Sequence, residues 1–127
     1  INLGALRVKA VNGAANYKFE IADLVGGSDK GNFELKANVY RLISYVESPA
    51  GDFSDNQESA GSFFRPKWET QLRGRYEKDG FAAQWTWNWQ SSTKLFSAAN
   101  GTFATIEQQN VIDFPAFSVH DATLQYE

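Results

Sequence analysis

The 127-residue chain predicts an all-β protein, an antiparallel up-and-down meander of about five strands that forms a section of a transmembrane β-barrel. Three observations lead there. Apolar and polar side chains alternate strictly along several stretches, which is the period of a strand and not of a helix. Two of those stretches meet at Asp79-Gly80, a dipeptide suited to a two-residue hairpin loop. The connections run short, long, short, long, so the short ones gather at one end of the sheet and the long ones at the other, as in outer-membrane barrels.

The elements follow in order. Val11, Gly13, Ala15, Tyr17, Phe19 and Ile21 alternate with Asn12, Ala14, Asn16, Lys18 and Glu20, a first strand that Ile1 to Val11 already anticipates. Ala22 to Gly31, with Gly26-Gly27 and Gly31, turns the chain. Phe33, Leu35, Ala37 and Val39 then alternate with Glu34, Lys36, Asn38 and Tyr40 in a second strand that runs on to Tyr45. From Glu47 to Pro66 the pattern dissolves among Ser, Gly, Asp and Asn, as in a long surface loop. Trp68, Thr70, Leu72, Gly74 and Tyr76 share one parity of the third strand, and Glu69, Gln71, Arg73 and Arg75 the other. Beyond the Asp-Gly loop, Ala83, Trp85, Trp87 and Trp89 alternate with Gln84, Thr86, Asn88 and Gln90. A second long connection covers about Phe96 to Pro115, and Phe117 to Glu127 forms the last strand, with Ala122, Leu124 and Tyr126 opposite Asp121, Thr123 and Gln125. Helical runs, repeats and heptads are not expected anywhere.

The hairpin fixes a register. It sets Tyr76 opposite Ala83, Gly74 opposite Trp85, Leu72 opposite Trp87 and Thr70 opposite Trp89, while on the reverse face Arg75 meets Gln84, Arg73 meets Thr86 and Gln71 meets Asn88. A tryptophan laid across a strand glycine covers backbone that the missing side chain leaves bare, so Gly74 and Trp85 read as a matched pair. One face is apolar and the other polar. From Phe81 to Trp89 the strand rises about 27 Å, which at a tilt near 40° spans most of a hydrocarbon band of about 25 Å. Tyr17, Phe19, Phe33, Tyr76, Phe81 and Tyr126 fall on the apolar face near the short turns and are expected to form a belt. The lipid-facing set is therefore Tyr17, Phe19, Phe33, Leu72, Tyr76, Trp85, Trp87, Trp89, Leu124 and Tyr126.

Composition narrows the classes. With 43% hydrophobic residues and 15% aromatics, residues 1–127 suit a single all-β segment. A net charge of −3 offers no basic surface for nucleic acid. The absence of cysteine excludes disulfides and thiolate metal sites. No apolar run reaches the roughly 18 residues of a transmembrane helix, and the first residues lack a charged n-region with an apolar h-region. The lack of methionine and the strand-like beginning suggest a processed or excised piece.

The chemical constellations are thin. His120 and Asp121 are neighbours on a strand and point to opposite faces, which denies them the hydrogen-bonded dyad of nucleophilic catalysis. Gly26 to Gly31 lacks the Gly-Lys-Ser/Thr order and following helix of a phosphate loop. Asp52, Asp55 and Glu58 could offer oxygens to calcium, but at no EF-hand spacing, and Asn100-Gly101-Thr102 reads as a turn before it reads as a glycosylation site. No catalytic residue, metal site or cofactor is expected, and an enzyme is the least favoured class.

Arg65-Pro66-Lys67-Trp68 opening a strand, Trp85-Thr86-Trp87-Asn88-Trp89-Gln90-Ser91 answering it, and Phe117-Ser118-Val119-His120-Asp121 leading to Tyr126 resemble the late barrel strands of TonB-dependent outer-membrane receptors. The similarity covers nearly the whole chain. It implies a parent barrel of about 22 strands with a plugged lumen, in the bacterial outer membrane, taking up a scarce nutrient such as an iron chelate, cobalamin or a glycan with energy transmitted through TonB. The partners it implies are outer-membrane lipid, the remainder of the barrel, a plug domain and, through the parent, TonB. No plug domain, TonB-contacting segment or closing strand is visible in these residues. The polar face would line the lumen, where Glu69, Gln71, Arg73, Arg75, Gln84 and Asn88 are the candidate ligand-binding residues, although lumenal groups chiefly bond one another and water. The rival reading is a soluble β-sandwich that binds carbohydrate or protein through an aromatic face. About five strands leave two open edges, so the isolated piece is expected to self-associate.

Overall fold

A computed structural model describes residues 4–28, 30–53, 57–62, 64–94 and 113–127. They form one antiparallel sheet of five strands in meander order, with no crossover: β1 (Ala5–Glu20), β2 (Asn32–Ser48), β4 (Trp68–Lys78), β5 (Phe81–Gln90) and β8 (Phe117–Tyr126). Alternating runs rich in β-branched and aromatic residues supply each of them. Three two-residue strands accompany them. β3 (Gln57–Glu58) pairs antiparallel with β2, Val46 opposite Glu58, and β6 (Thr93–Lys94) pairs antiparallel with β7 (Asp113–Phe114).

Backbone hydrogen bonds fix the register of each neighbouring pair. Ile21 N–H donates to Gly31 O at 3.0 Å, Leu42 N–H to Lys67 O at 2.9 Å, Ser91 N–H to Trp68 O at 2.9 Å and Glu127 N–H to Gly80 O at 3.0 Å. The Ser91–Trp68 bond is the one the Asp-Gly hairpin requires, and Gln71 Nε2 donates to Asn88 Oδ1 at 2.8 Å, the cross-strand partner the register assigns it. Asp79 and Gly80 both take positive φ, 48° and 79°, the left-handed pair that a type I′ turn demands.

Three sequence expectations need correction. The turn after β1 contains a five-residue helix, α1 (Ile21–Val25), closed by Gly26 N–H donating to Ala22 O and stopped where Gly26 takes φ 69°. A single helical turn is too short for its period to show in a sequence. The connection from Glu47 to Pro66 is a folded structure where it is described. Ser59 N–H donates to Tyr45 O, Arg65 N–H to Ser62 O and Gly61 N–H to Arg65 O, so this surface connection is tied to β2 at Tyr45 and carries turns of its own. Gly74, opposite Trp85 in the register, is met from β2 by a ring the sequence did not point to: a Cβ there would lie 3.0 Å from Phe33 Cζ.

Contacts divide the chain into two units. One comprises Ile1–Asn12, Tyr40–Glu69 and Gln90–Phe117, the other Gly13–Val39, Thr70–Trp89 and Ser118–Glu127. Among the described residues the only buried member of the Ala, Val, Ile, Leu, Phe, Trp and Tyr set is Leu42, at 5% exposure, accompanied by buried Ser48 and Thr93. No second layer covers the sheet among those residues. β1 and β8, at the two ends of the strand order, are exposed at nearly every position.

Candidate functional site

The second unit carries the aromatic face. Tyr17 and Phe19 have ring centroids 5.4 Å apart, Phe19 and Phe33 another 5.4 Å, and Tyr76 and Phe81 6.3 Å, so five of the six residues expected in a belt fall in two groups of neighbouring rings. Phe19 and Phe33 belong to adjacent strands, and the Phe33 ring closes the gap that Gly74 leaves. Tyr76 sends its hydroxyl to Lys30 O at 3.0 Å, which leaves its ring apolar and its polar tip satisfied at the short-turn end.

His120 is the residue sequence reasoning undervalued. Its ring stacks on Trp85 at 5.7 Å and on Trp87 at 6.4 Å, making a three-ring cluster across β5 and β8. The signal was its parity, shared with Ala122, Leu124 and Tyr126. Exposure on this face is high: Tyr17 65%, Trp85 44%, Leu124 74% and Tyr126 81%, whereas Phe19, Phe33, Leu72, Tyr76, Trp87 and Trp89 are half-buried by their neighbours.

The opposite parity holds the polar groups. Gln71 and Asn88 bond one another, and Arg75 Nε donates to Glu77 Oε1 at 2.7 Å in an ion pair along one strand. Glu34 Oε1 receives Lys18 Nζ at 3.5 Å and Lys36 Nζ at 3.1 Å. A cavity of about 450 Å3 opens beside these groups, lined by Lys18, Glu20, Asp23, Glu34, Arg75 and Glu77 among others. Of the six candidate ligand-binding residues, Gln71, Asn88 and Arg75 are thus engaged with the protein itself, Arg73 and Gln84 are half-buried, and Glu69 is exposed. Only Arg75 lines the cavity.

The first unit is organised by charge. Glu58 Oε1 accepts from Tyr45 N–H at 2.8 Å and from Ala60 N–H at 2.9 Å, which commits that oxygen to backbone donors rather than to calcium. Asp55, the middle member of that proposed calcium set, lies outside the described residues, as do Asn100, Gly101 and Thr102. No group of metal-ligating side chains occurs among the described residues. Three arginines lie over aromatic rings: Arg7 over Phe53 at 4.2 Å, Arg41 over Trp68 at 4.8 Å and Arg65 over Tyr45 at 3.9 Å. Arg65 also reaches Glu47 at 3.2 Å and Ser59 Oγ at 2.9 Å.

The described helix is too short and insufficiently apolar to cross a membrane, which leaves β-strand crossing untouched. What the arrangement offers chemically is a sheet with an unburied aromatic face, a self-bonded polar face and no assembled acid, base or nucleophile among the described residues. Comparison of the chain with protein-family models, curated proteins and solved structures returned no match.

Proposed function

We propose that this chain is a section of the β-barrel of a TonB-dependent receptor in the bacterial outer membrane, with the aromatic face toward lipid and the polar face toward a lumen filled by a plug domain. The observation that carries the reading is the missing interior. Each large apolar side chain fully buried contributes about 1.5–3 kcal/mol, yet Leu42 is the one large apolar side chain buried among the described residues, while Tyr17, Trp85, Leu124 and Tyr126 stand exposed. Lipid on that face, and further strands on β1 and β8, would supply the missing burial and the missing ladder partners.

Strand length agrees. β4, β5 and β8 have 11, 10 and 10 residues, matching the roughly 9–11 that a tilted crossing needs. The self-bonding of Gln71 with Asn88 and of Arg75 with Glu77 suits a lumenal wall whose polar groups must be satisfied. The role in nutrient uptake rests on the resemblance of the strand sequences, and the receptor as a whole, not this section, would perform it.

Sedimentation of the pure chain with and without zwitterionic detergent tests the membrane part. The reading expects aggregates in buffer and a dispersed, β-rich species in micelles; a stable, monodisperse monomer in buffer would defeat it. The receptor part is tested on the gene that encodes these residues, which should also encode an upstream plug domain and a terminal aromatic strand.

A further inference from the structure

We infer that Arg7, Lys9 and Arg41 form a docking surface for the phosphate groups of anionic lipids; this deepens the membrane reading and rests on it. All three belong to the first unit and all three are exposed. They occupy the parity that further along the same strands carries Tyr17 and Phe19 on β1 and Phe33 and Leu35 on β2, so Arg7 and Lys9 replace the apolar row of β1 and Arg41 interrupts that of β2 between Val39 and Ile43. That is where an apolar band would meet headgroups.

Their spacing suits shared ligands. Gly4 packs against Ser48, its would-be Cβ 3.4 Å from Ser48 O, which sets Arg7 beside Tyr45 and Lys9 beside Ile43, with Arg41 one pair further along. Residues two apart on a strand are separated by about 7 Å, and diagonal cross-strand neighbours by about 7–8 Å. Lys9 thus stands between the two arginines, and long side chains at the three positions can each reach one of several adjacent phosphates.

The aromatic partners give the cations a fixed posture. Arg7 lies over Phe53 and Arg41 over Trp68, so each guanidinium rests on an aromatic ring that limits its freedom. Arg65 differs: Glu47 at 3.2 Å neutralises it, and it buttresses Tyr45 instead of binding. The patch is also set against the chain as a whole, whose net charge of −3 would repel an anionic bilayer. Preference for anionic lipid would therefore report this patch and not bulk charge.

The test measures binding of the full chain, diluted from detergent, to vesicles of phosphatidylcholine and to vesicles of equimolar phosphatidylcholine and phosphatidylglycerol. At about fivefold per cation, the anionic vesicles should bind on the order of a hundredfold more tightly, and salt should erode the preference. The R7Q/K9Q/R41Q variant should lose it, and a K18Q/K30Q/K78Q variant of equal charge change should keep it. Equal affinity of the unaltered chain for both vesicles, or equal loss in both variants, would overturn the inference while leaving the membrane reading standing. Failure to bind either vesicle would remove the membrane reading as well. The salt dependence of the unaltered chain needs no variant to fold, and free inorganic phosphate that abolished the preference as efficiently as the lipid would assign the site to phosphate rather than to a bilayer.

Discussion

Gly26 and Gly31 bracket the first short turn, and substituting each by alanine separates two costs that usually arrive together. Both take positive φ, 69° and 89°, and Gly26 combines it with ψ 167°, a region that glycine alone adopts readily, so alanine pays a backbone penalty of about 1–3 kcal/mol at either site. They differ in space. A Cβ on Gly26 meets nothing within 4 Å, whereas one on Gly31 would lie 2.6 Å from Glu77 O and 2.7 Å from Tyr76 Cε2. The carbonyl belongs to β4 and cannot rotate away, so the turn must lift off the sheet at a further cost of about 1–3 kcal/mol, typical of overpacking. Gly31→Ala should therefore be destabilised by about 1–3 kcal/mol more than Gly26→Ala. Urea unfolding in zwitterionic micelles, followed by tryptophan emission, measures the difference through the shift in midpoint at constant slope. Equal destabilisation of the two variants would refute the packing of this turn against Glu77 and Tyr76.

Further outcomes are expected from the same contacts. Phe33→Ala should cost about 1–3 kcal/mol, less than a fully buried phenylalanine, because the ring is half-buried between Phe19 and the bare backbone of Gly74. Gly74→Ala should hurt less in that background than alone, and a double-mutant cycle measured by urea unfolding gives a coupling of about 0.5 kcal/mol or more if the ring does cover the glycine. Glu58→Ala strips the acceptor from two backbone donors, so amide exchange at Tyr45 and Ala60 should accelerate by roughly tenfold or more while amides of β5 hold their rates. Glu34→Gln, by contrast, should leave the urea midpoint nearly unchanged at moderate salt, because its Lys18 partner is 70% exposed and salt screens the pair.

The sheet was legible because its signals are local. Alternation identified β4 and β5, and Asp79-Gly80 fixed their turn and their register, down to Gln71 facing Asn88. His120 shares the parity of Ala122, Leu124 and Tyr126, but the sequence reading considered it only beside Asp121 and did not place it against Trp85 and Trp87. What escaped was non-local or too short to be periodic. α1 is one turn long, and β3 consists of two residues whose pairing with Val46 and Glu47 becomes visible only when the intervening chain is folded. The cover over Gly74 was assigned to the directly opposite Trp85, whereas a long ring on the other neighbouring strand reaches it. The arginines stacked on Phe53, Trp68 and Tyr45 left a fainter trace: Arg7 and Arg41 interrupt apolar rows, a break of pattern that parity alone exposes but cannot interpret.

The central claim concerns the medium that meets Trp85, Trp87 and Trp89. Reconstituting the chain into vesicles whose lipids carry bromine on their acyl chains tests it directly, because bromine quenches indole emission only at contact depth. The account predicts strong quenching by brominated tails and little by iodide in the aqueous phase; strong iodide quenching with emission untouched by brominated tails would contradict it.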